Sequence, residues 1–449
     1  MKNTSHSGKV VRRVATILAT SALLGASLVA CSNGSDAQKG NAADVEAALE
    51  KGGELTFWSW SPSAEKQVAK FKKAYPKVDV KVVNAGTNTT EYTKLQNVIK
   101  AGSGAPDVAQ IEYYALPQFA LNKSLVDLTA YGFGSLKEKF GPATWDSVAI
   151  NDGIYGLPQD SGPMAMFYNK TVFDKHGITV PTKWDEFVAA GEKLHAADPT
   201  AYITSDSGDA GFATSMIWQA GGRPFETKGS DVAIRLQDEG TKKWTATWNK
   251  LVTGKLVSPV PGWSDDWFKS LGNGSIATLI TGAWMPGVLE ASVKDGAGQW
   301  RVAPIPTYDG TRANAANGGS ADVVLKQSKN PALAAGFLKW LNNSDDSVNE
   351  FVASGGFPAT VSALNAESFR SATPAYFGGQ KINEVLVQAA KDVSDGFTYL
   401  PFQVFANSIF ADTVGKSYAN NSDLNPGLVA WQKALVDYGG QQGFTIKAE

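Results

Sequence analysis

From Gly53 onward the chain alternates short apolar runs with amphipathic stretches. Leu55-Thr56-Phe57-Trp58-Ser59-Trp60 is a β-branched and aromatic run after Gly52-Gly53, and Ala64, Val68, Phe71 and Tyr75 follow it at helical spacing. This reads as a strand feeding a helix. Residues 78–83 give a second strand, Tyr92, Leu95 and Ile99 mark a second helix, and Pro106-Asp107-Val108-Ala109 opens a third strand after a glycine-rich loop. The pattern returns with a strand over 164–168, a helix over 184–197 with Thr182 as its expected N-cap, a strand over 275–281 and an amphipathic helix over 331–341. After Ile382 the chain reads as wholly helical. Alternating strands and helices predict an α/β fold of parallel sheets with covering helices. No repeat of fixed period and no long linker follow residue 53, so two lobes that share several crossings are the economical arrangement.

The first 30 residues break this alternation. Lys2, Lys9, Arg12 and Arg13 form a basic segment, and residues 14–30 are Ala, Leu, Val and Ile interrupted only by Thr, Ser and Gly, the pattern of a secretory signal. The stretch ends in Leu28-Val29-Ala30-Cys31, and Cys31 is the only cysteine in the chain. It resembles the lipobox of bacterial lipoproteins, whose cysteine is diacylated and becomes the new N-terminus. A plain signal peptide or a single membrane anchor are the alternatives. Residues 31–52, rich in Ser, Gly, Asn, Asp and Ala, read as a flexible tether with transient helix near 45–51. Cleavage removes four basic residues and no acidic ones, leaving 37 Lys+Arg against 43 Asp+Glu, a net charge of -6. Without a basic excess, nucleic acid is not expected as a partner. Without a second cysteine, stability must come from packing, for which 43% hydrophobic residues over 449 positions are sufficient in more than one domain.

Motifs for chemistry are sparse. Beyond the signal only His176 and His195 remain, neither in a metal-ligand spacing, so no metal is expected. Gly415-Lys416-Ser417 ends like a phosphate loop, but Phe410 stands where the first glycine belongs. Gly102-Ser103-Gly104 starts like a dinucleotide fingerprint, but Asp107 takes the third glycine position. No Gly-x-Ser-x-Gly elbow occurs. A glycosidase stays open, because its two carboxylates carry no fixed local motif. The 13 tryptophans are the stronger signal. Trp58, Trp184 and Trp340 fit core positions, whereas Trp60, Trp263 and Trp284 end strands or lie in Gly/Pro loops, where open α/β sheets bind ligands. A flat indole can lie on the C–H face of a pyranose while Asp, Glu, Asn and Gln bond its hydroxyls.

Four stretches occur in a characteristic order: Gly53-Glu54-Leu55-Thr56-Phe57-Trp58 with Phe71 and Tyr75-Pro76; Gly104-Ala105-Pro106-Asp107-Val108; Tyr155-Gly156-Leu157-Pro158 with Phe167-Tyr168-Asn169-Lys170 and Pro181 to Phe187; and Gly274-Ser275-Ile276-Ala277 with Gly282-Ala283-Trp284, Pro304-Ile305-Pro306 and Gly318-Gly319-Ser320. Together they resemble the extracellular solute-binding proteins of carbohydrate ABC transporters, the maltose-binding-protein-like group. The resemblance implies a two-lobe, periplasmic-binding-protein-like fold with the ligand cleft between the lobes. Residues 53–158 with about 306–357 would form the N-terminal lobe, and about 159–305 with 358–449 the C-terminal lobe. It places Glu112 and Tyr113 after the third strand, Asp160 on a crossing strand, and Asp209 and Phe212 before Ala220-Gly221-Gly222. Trp284 is its stacking aromatic, and Phe402 and Gln403 fall in the motif-poor C-terminal region. Trp60, Trp263 and the Gly319-Ser320 turn join this set from local chemistry. The implied function is capture of a neutral oligosaccharide by a lipid-anchored monomer outside the cell and delivery to an ABC permease, with no catalysis, cofactor or metal. The alternatives are a secreted glycoside hydrolase using two of the same carboxylates and a receptor for a non-sugar solute.

Overall fold

In the computed structural model, which describes residues 41–448, eight strands position the cleft. They are β1 (Gly53–Trp58), β2 (Val78–Val83), β3 (Val108–Glu112), β4 (Leu157–Pro158), β5 (Met164–Asn169), β6 (Thr278–Gly282), β7 (Trp300–Ala303) and β8 (Ser320–Val324). The signal segment 1–30, Cys31 and residues 32–40 lie outside the described residues. One sheet has the order β2-β1-β3-β8-β4 and a second the order β6-β5-β7. In β3, Val108 enters one apolar core while Ala109 and Ile111 enter another on the opposite face, the pattern of a strand packed on both sides.

Purely parallel sheets were the expectation, and only β2, β1 and β3 meet it. β8 runs antiparallel to β3 and β4, and the second sheet is antiparallel throughout. The reason is connectivity. β8 does not reach the sheet through a helical crossover, which would make it parallel; it enters after a long excursion through the second lobe.

Two cores draw on residues from Val45 to Leu157 and again from Ala321 to Ala359. The other two draw on Met164 to Ala315 and on Phe357 to Leu435. Ile305 and Ala315 belong to this second pair. The crossing segments bond to one another at the waist. Gln159 N–H donates to Ser320 O (3.0 Å), Asn317 N–H to Gly162 O (2.7 Å) and Ser161 N–H to Phe357 O (3.2 Å).

Several local expectations change. Residues 42–51 are not tether but the helix Ala42–Lys51, capped reciprocally by Asn41 and Asp44. Its Val45 and Leu49 are buried in the first lobe, because they stand one turn apart and face the same side. The helix Trp184–Ala197 starts one residue later than a Thr182 cap would give; the Glu186 carboxylate instead accepts the N–H groups of Thr182 (2.8 Å) and Lys183 (3.2 Å). The C-terminal region is not wholly helical: residues 392–402 carry no helix, and Thr445–Ala448 is a strand parallel to Asp231–Ile234. Gly102 is the left-handed C-cap of the helix Thr89–Ala101 (φ 72°), which accounts for the nucleotide-like glycines. Among the tryptophans expected in the core, Trp184 is fully buried in the second lobe, and Trp58 and Trp340 are half-buried against the two cores of the first.

Candidate ligand-binding cleft

A cavity of about 490 Å³ opens where the carboxyl end of β3 faces the second lobe. Glu112 at the end of β3 and Tyr114 in the turn after it line the cavity, with the loop 205–212 and the tryptophans Trp263, Trp267 and Trp284 from the second lobe and Asn317 to Gly319 from the crossing. Tyr399, Gln403 and Asn407 close it from the C-terminal region. Among the described residues that line it, none is Lys, Arg or His, and three are acidic. An anionic ligand would find no counter-charge here, whereas a neutral polyhydroxyl molecule finds acceptors and flat apolar faces.

The apolar side is an indole shelf. Trp263 lies 5.8 Å from Trp284 at an interplanar angle of 24°, and Trp267 stands behind it at 5.5 Å. Trp284 is oriented by its indole N–H, which donates to Asn317 O (2.8 Å). A Cβ on Gly282 would collide with that indole and with Asn317 O, and one on Gly318 would come within 3.0 Å of it, so these glycines let the backbone approach the ring. Trp267 is fixed by its N–H to Ser205 Oγ (2.9 Å). Trp263 is 59% exposed and sits at φ 66°, a left-handed conformation that costs a bulky residue about 1–3 kcal/mol. Bare indole surface held in a strained backbone at a cavity mouth suits contact with a ligand.

The polar side is braced from below. Tyr92 O–H donates to Glu112 Oε2 (3.0 Å) and receives the Glu112 N–H in return (2.9 Å), and the Asn88 amide faces the same carboxylate. Burial pushes the Glu112 carboxyl up to about 7, against the lowering effect of the Tyr92 and Tyr114 hydroxyls. Asp209 caps the helix Ala210–Gln219 by accepting the Phe212 N–H (2.6 Å) and remains exposed to the cavity; the protein around it still raises its pKa through desolvation. Asp206 ties the loop together, accepting the N–H groups of Gly208 (2.9 Å) and Asp209 (3.3 Å) and the Trp248 indole N–H (2.8 Å). Gln403 donates to Asn407 Oδ1 (2.9 Å) at the floor.

Of the residues singled out from sequence, the structure gathers Glu112, Asp209, Phe212, Trp263, Trp284, Gly319 and Gln403 around this cavity. It places five elsewhere. Tyr113, the first residue after β3, is buried in the core that holds Ala109 and Ile111, and its hydroxyl donates to Asp160 O (2.7 Å). Asp160 accepts the Ser320 N–H (2.5 Å), so both belong to the waist. Phe402 is buried against Tyr438 and Phe444. Trp60, half-buried after β1, is not in the lining. Tyr114, Asn317 and Tyr399 complete the wall without having been singled out, and Trp267, four residues after Trp263, joins them. Tyr114 was within reach, since it shares a face with Glu112 two residues earlier.

Among the described residues there is no cluster of three or more His, Cys, Asp or Glu side chains that could hold a metal ion. No described helix is long and apolar enough to cross a membrane. The fold is similar to that of a solved ABC transporter associated binding protein from B. animalis subsp. lactis Bl-04 in complex with beta-1,6-galactobiose. The identity is 48% over 88% of this chain and 99% of that one, with a TM-score of 0.82. The galacto-N-biose/lacto-N-biose I-binding protein of Bifidobacterium longum, solved with lacto-N-biose, is 28% identical over 88% of this chain and 99% of its own, with a TM-score of 0.78. In sequence, the arabinooligosaccharide-binding protein of Bacillus subtilis (strain 168) is 28% identical over 311 residues, 65% of this chain and 70% of that protein. Residues 58–347 match the bacterial extracellular solute-binding proteins, and the chain belongs to that family.

Proposed function

We propose that this protein captures a short, neutral, β-linked galacto-oligosaccharide outside the cell and hands it intact to the permease of an ABC transporter. The observation that carries the reading is the cavity itself, with the Trp263–Trp284 shelf on one side and the acceptors Glu112, Asp209 and Gln403 on the other. The relative solved with beta-1,6-galactobiose supports the choice of sugar. Glu112, Asp209, Phe212, Trp263, Trp284, Gly319 and Gln403 are the proposed contacts, with Asp160, Tyr113 and Ser320 holding the waist on which the lobes move. The proposed lobes are residues 42–158 with about 320–357, and 159–316 with 358–448. The protein works as a monomer held at the outer face of the membrane by lipid on Cys31, and it performs no chemistry on its ligand.

Titration calorimetry of the purified protein with beta-1,6-galactobiose, followed by chromatography of the mixture, tests this. Saturable binding with intact disaccharide is the expected result. Release of galactose would replace the receptor by a hydrolase, and silence across galacto- and arabino-oligosaccharides would remove sugars as the ligand class.

A further inference from the structure

One ring borders the cleft and a second space at once: Tyr399 lines both the cleft and a further cavity of about 210 Å³. The far cavity has its own aromatic wall. Trp218 and Phe397 stack there at 4.6 Å and 12°, and Pro117 and Leu121 face them from the first lobe. Asp146, Ser147 and Thr227 add polar groups at its edge. It therefore offers what the main cleft offers, a flat apolar face with hydrogen-bonding groups beside it.

Tyr399 is held as a partition. Its ring meets Tyr114 edge-on at 6.4 Å and Phe397 edge-on at 5.3 Å. It stands in the segment 392–402, which carries no helix, so no helical hydrogen-bond ladder fixes the backbone beneath it. Phe397, by contrast, is pinned by the Trp218 stack, by the Arg223 guanidinium 6.0 Å from its ring, and by Trp218 N–H bonded to Ser394 O (2.8 Å). The partition is thus one ring resting on fixed neighbours.

We propose that Tyr399 sets the number of sugar units the protein accepts, by walling off the second cavity from the first. This rests on the oligosaccharide reading above. If two rings occupy about 490 Å³, the 210 Å³ behind the wall corresponds to about one more. A longer chain must displace the Tyr399 ring or leave its end unit outside the contacts. Removing the ring joins the two spaces.

The test is the affinity ratio of the trisaccharide to the disaccharide, measured with β-1,6-galacto-oligosaccharides of two and three units and again with arabino-oligosaccharides of the same lengths. The unaltered protein should prefer the disaccharide by tenfold or more. Tyr399→Ala should shift the ratio at least tenfold toward the longer chain, and Tyr399→Phe should restore the preference, because the ring and not the hydroxyl forms the wall. Melting curves of each variant separate this from misfolding. An unchanged ratio in a folded Tyr399→Ala protein overturns the wall. Absence of binding in both series by the unaltered protein overturns the oligosaccharide reading and the wall with it.

Discussion

Four carboxyl groups of the first lobe and waist share an unusual environment: Glu91 and Asp322 are fully buried, and Glu112 and Asp160 sit nearby. Neither Glu91 oxygen has a partner, and Asp322 has one, the Asn342 amide (2.8 Å). Burial is the main cause that raises Glu91 and Asp322 to about 8 and Glu112 and Asp160 to about 7, with Lys94 opposing it at Glu91. The unfolded chain releases these protons near 4.5 for Glu and 3.8 for Asp. Between those values and about 8 the native state binds more protons than the unfolded state, so stability falls as pH rises. Their contribution is complete below about pH 4 and is lost through pH 7 to 8. The ligand-free melting temperature should therefore be higher at pH 5 than at pH 8, and Asp322→Asn should flatten that slope. An identical slope in the variant would mean that Asp322 stays ionised in the fold.

At the level of elements, the helix Ala42–Lys51 packs into the first lobe. Leu49 is 4% exposed and touches the helix Pro331–Asn343 at Gly336. Leu49→Ala should cost about 2–5 kcal/mol in denaturant unfolding, whereas the same change in a solvated tether would stay within about 0.5 kcal/mol. Nothing in the sequence announced this packing, because two apolar anchors in a polar stretch carry little periodicity. The elements that were legible were those with a repeated pattern: β1 with Leu55 and Phe57 inward, and the helix Pro331–Asn343 with its apolar stripe. The direction of β8 was not legible, since strand polarity depends on the path of the chain and not on the strand's own residues. The cleft divides in the same way. Glu112 and Trp284 stand at strand ends, where local reasoning reaches, while Tyr399 stands in a segment with neither period nor motif and enters the site only through tertiary packing.

For the whole molecule, the proposed capture requires that one ligand touch both lobes. Glu112 belongs to the first lobe and Trp284 to the second, and a ligand favours the closed arrangement only by the free energy it gains there over the open one. If Glu112 and Trp284 are both contacts, as proposed, then once either is lost the ligand no longer holds the lobes together and the other contact loses much of its worth. With beta-1,6-galactobiose as probe, Trp284→Ala and Glu112→Gln should each weaken binding by at least about tenfold, or 1.4 kcal/mol. The double variant should lose less than the sum, with a coupling of about 0.5–3 kcal/mol in the cycle. Ligand-induced contraction in small-angle scattering should shrink in each single variant as well, because closure and affinity draw on the same pair of contacts. Strict additivity with an undiminished contraction would place the sugar on one lobe alone and assign closure to the waist, where Asp160 holds the Ser320 N–H and Tyr113 holds the Asp160 carbonyl.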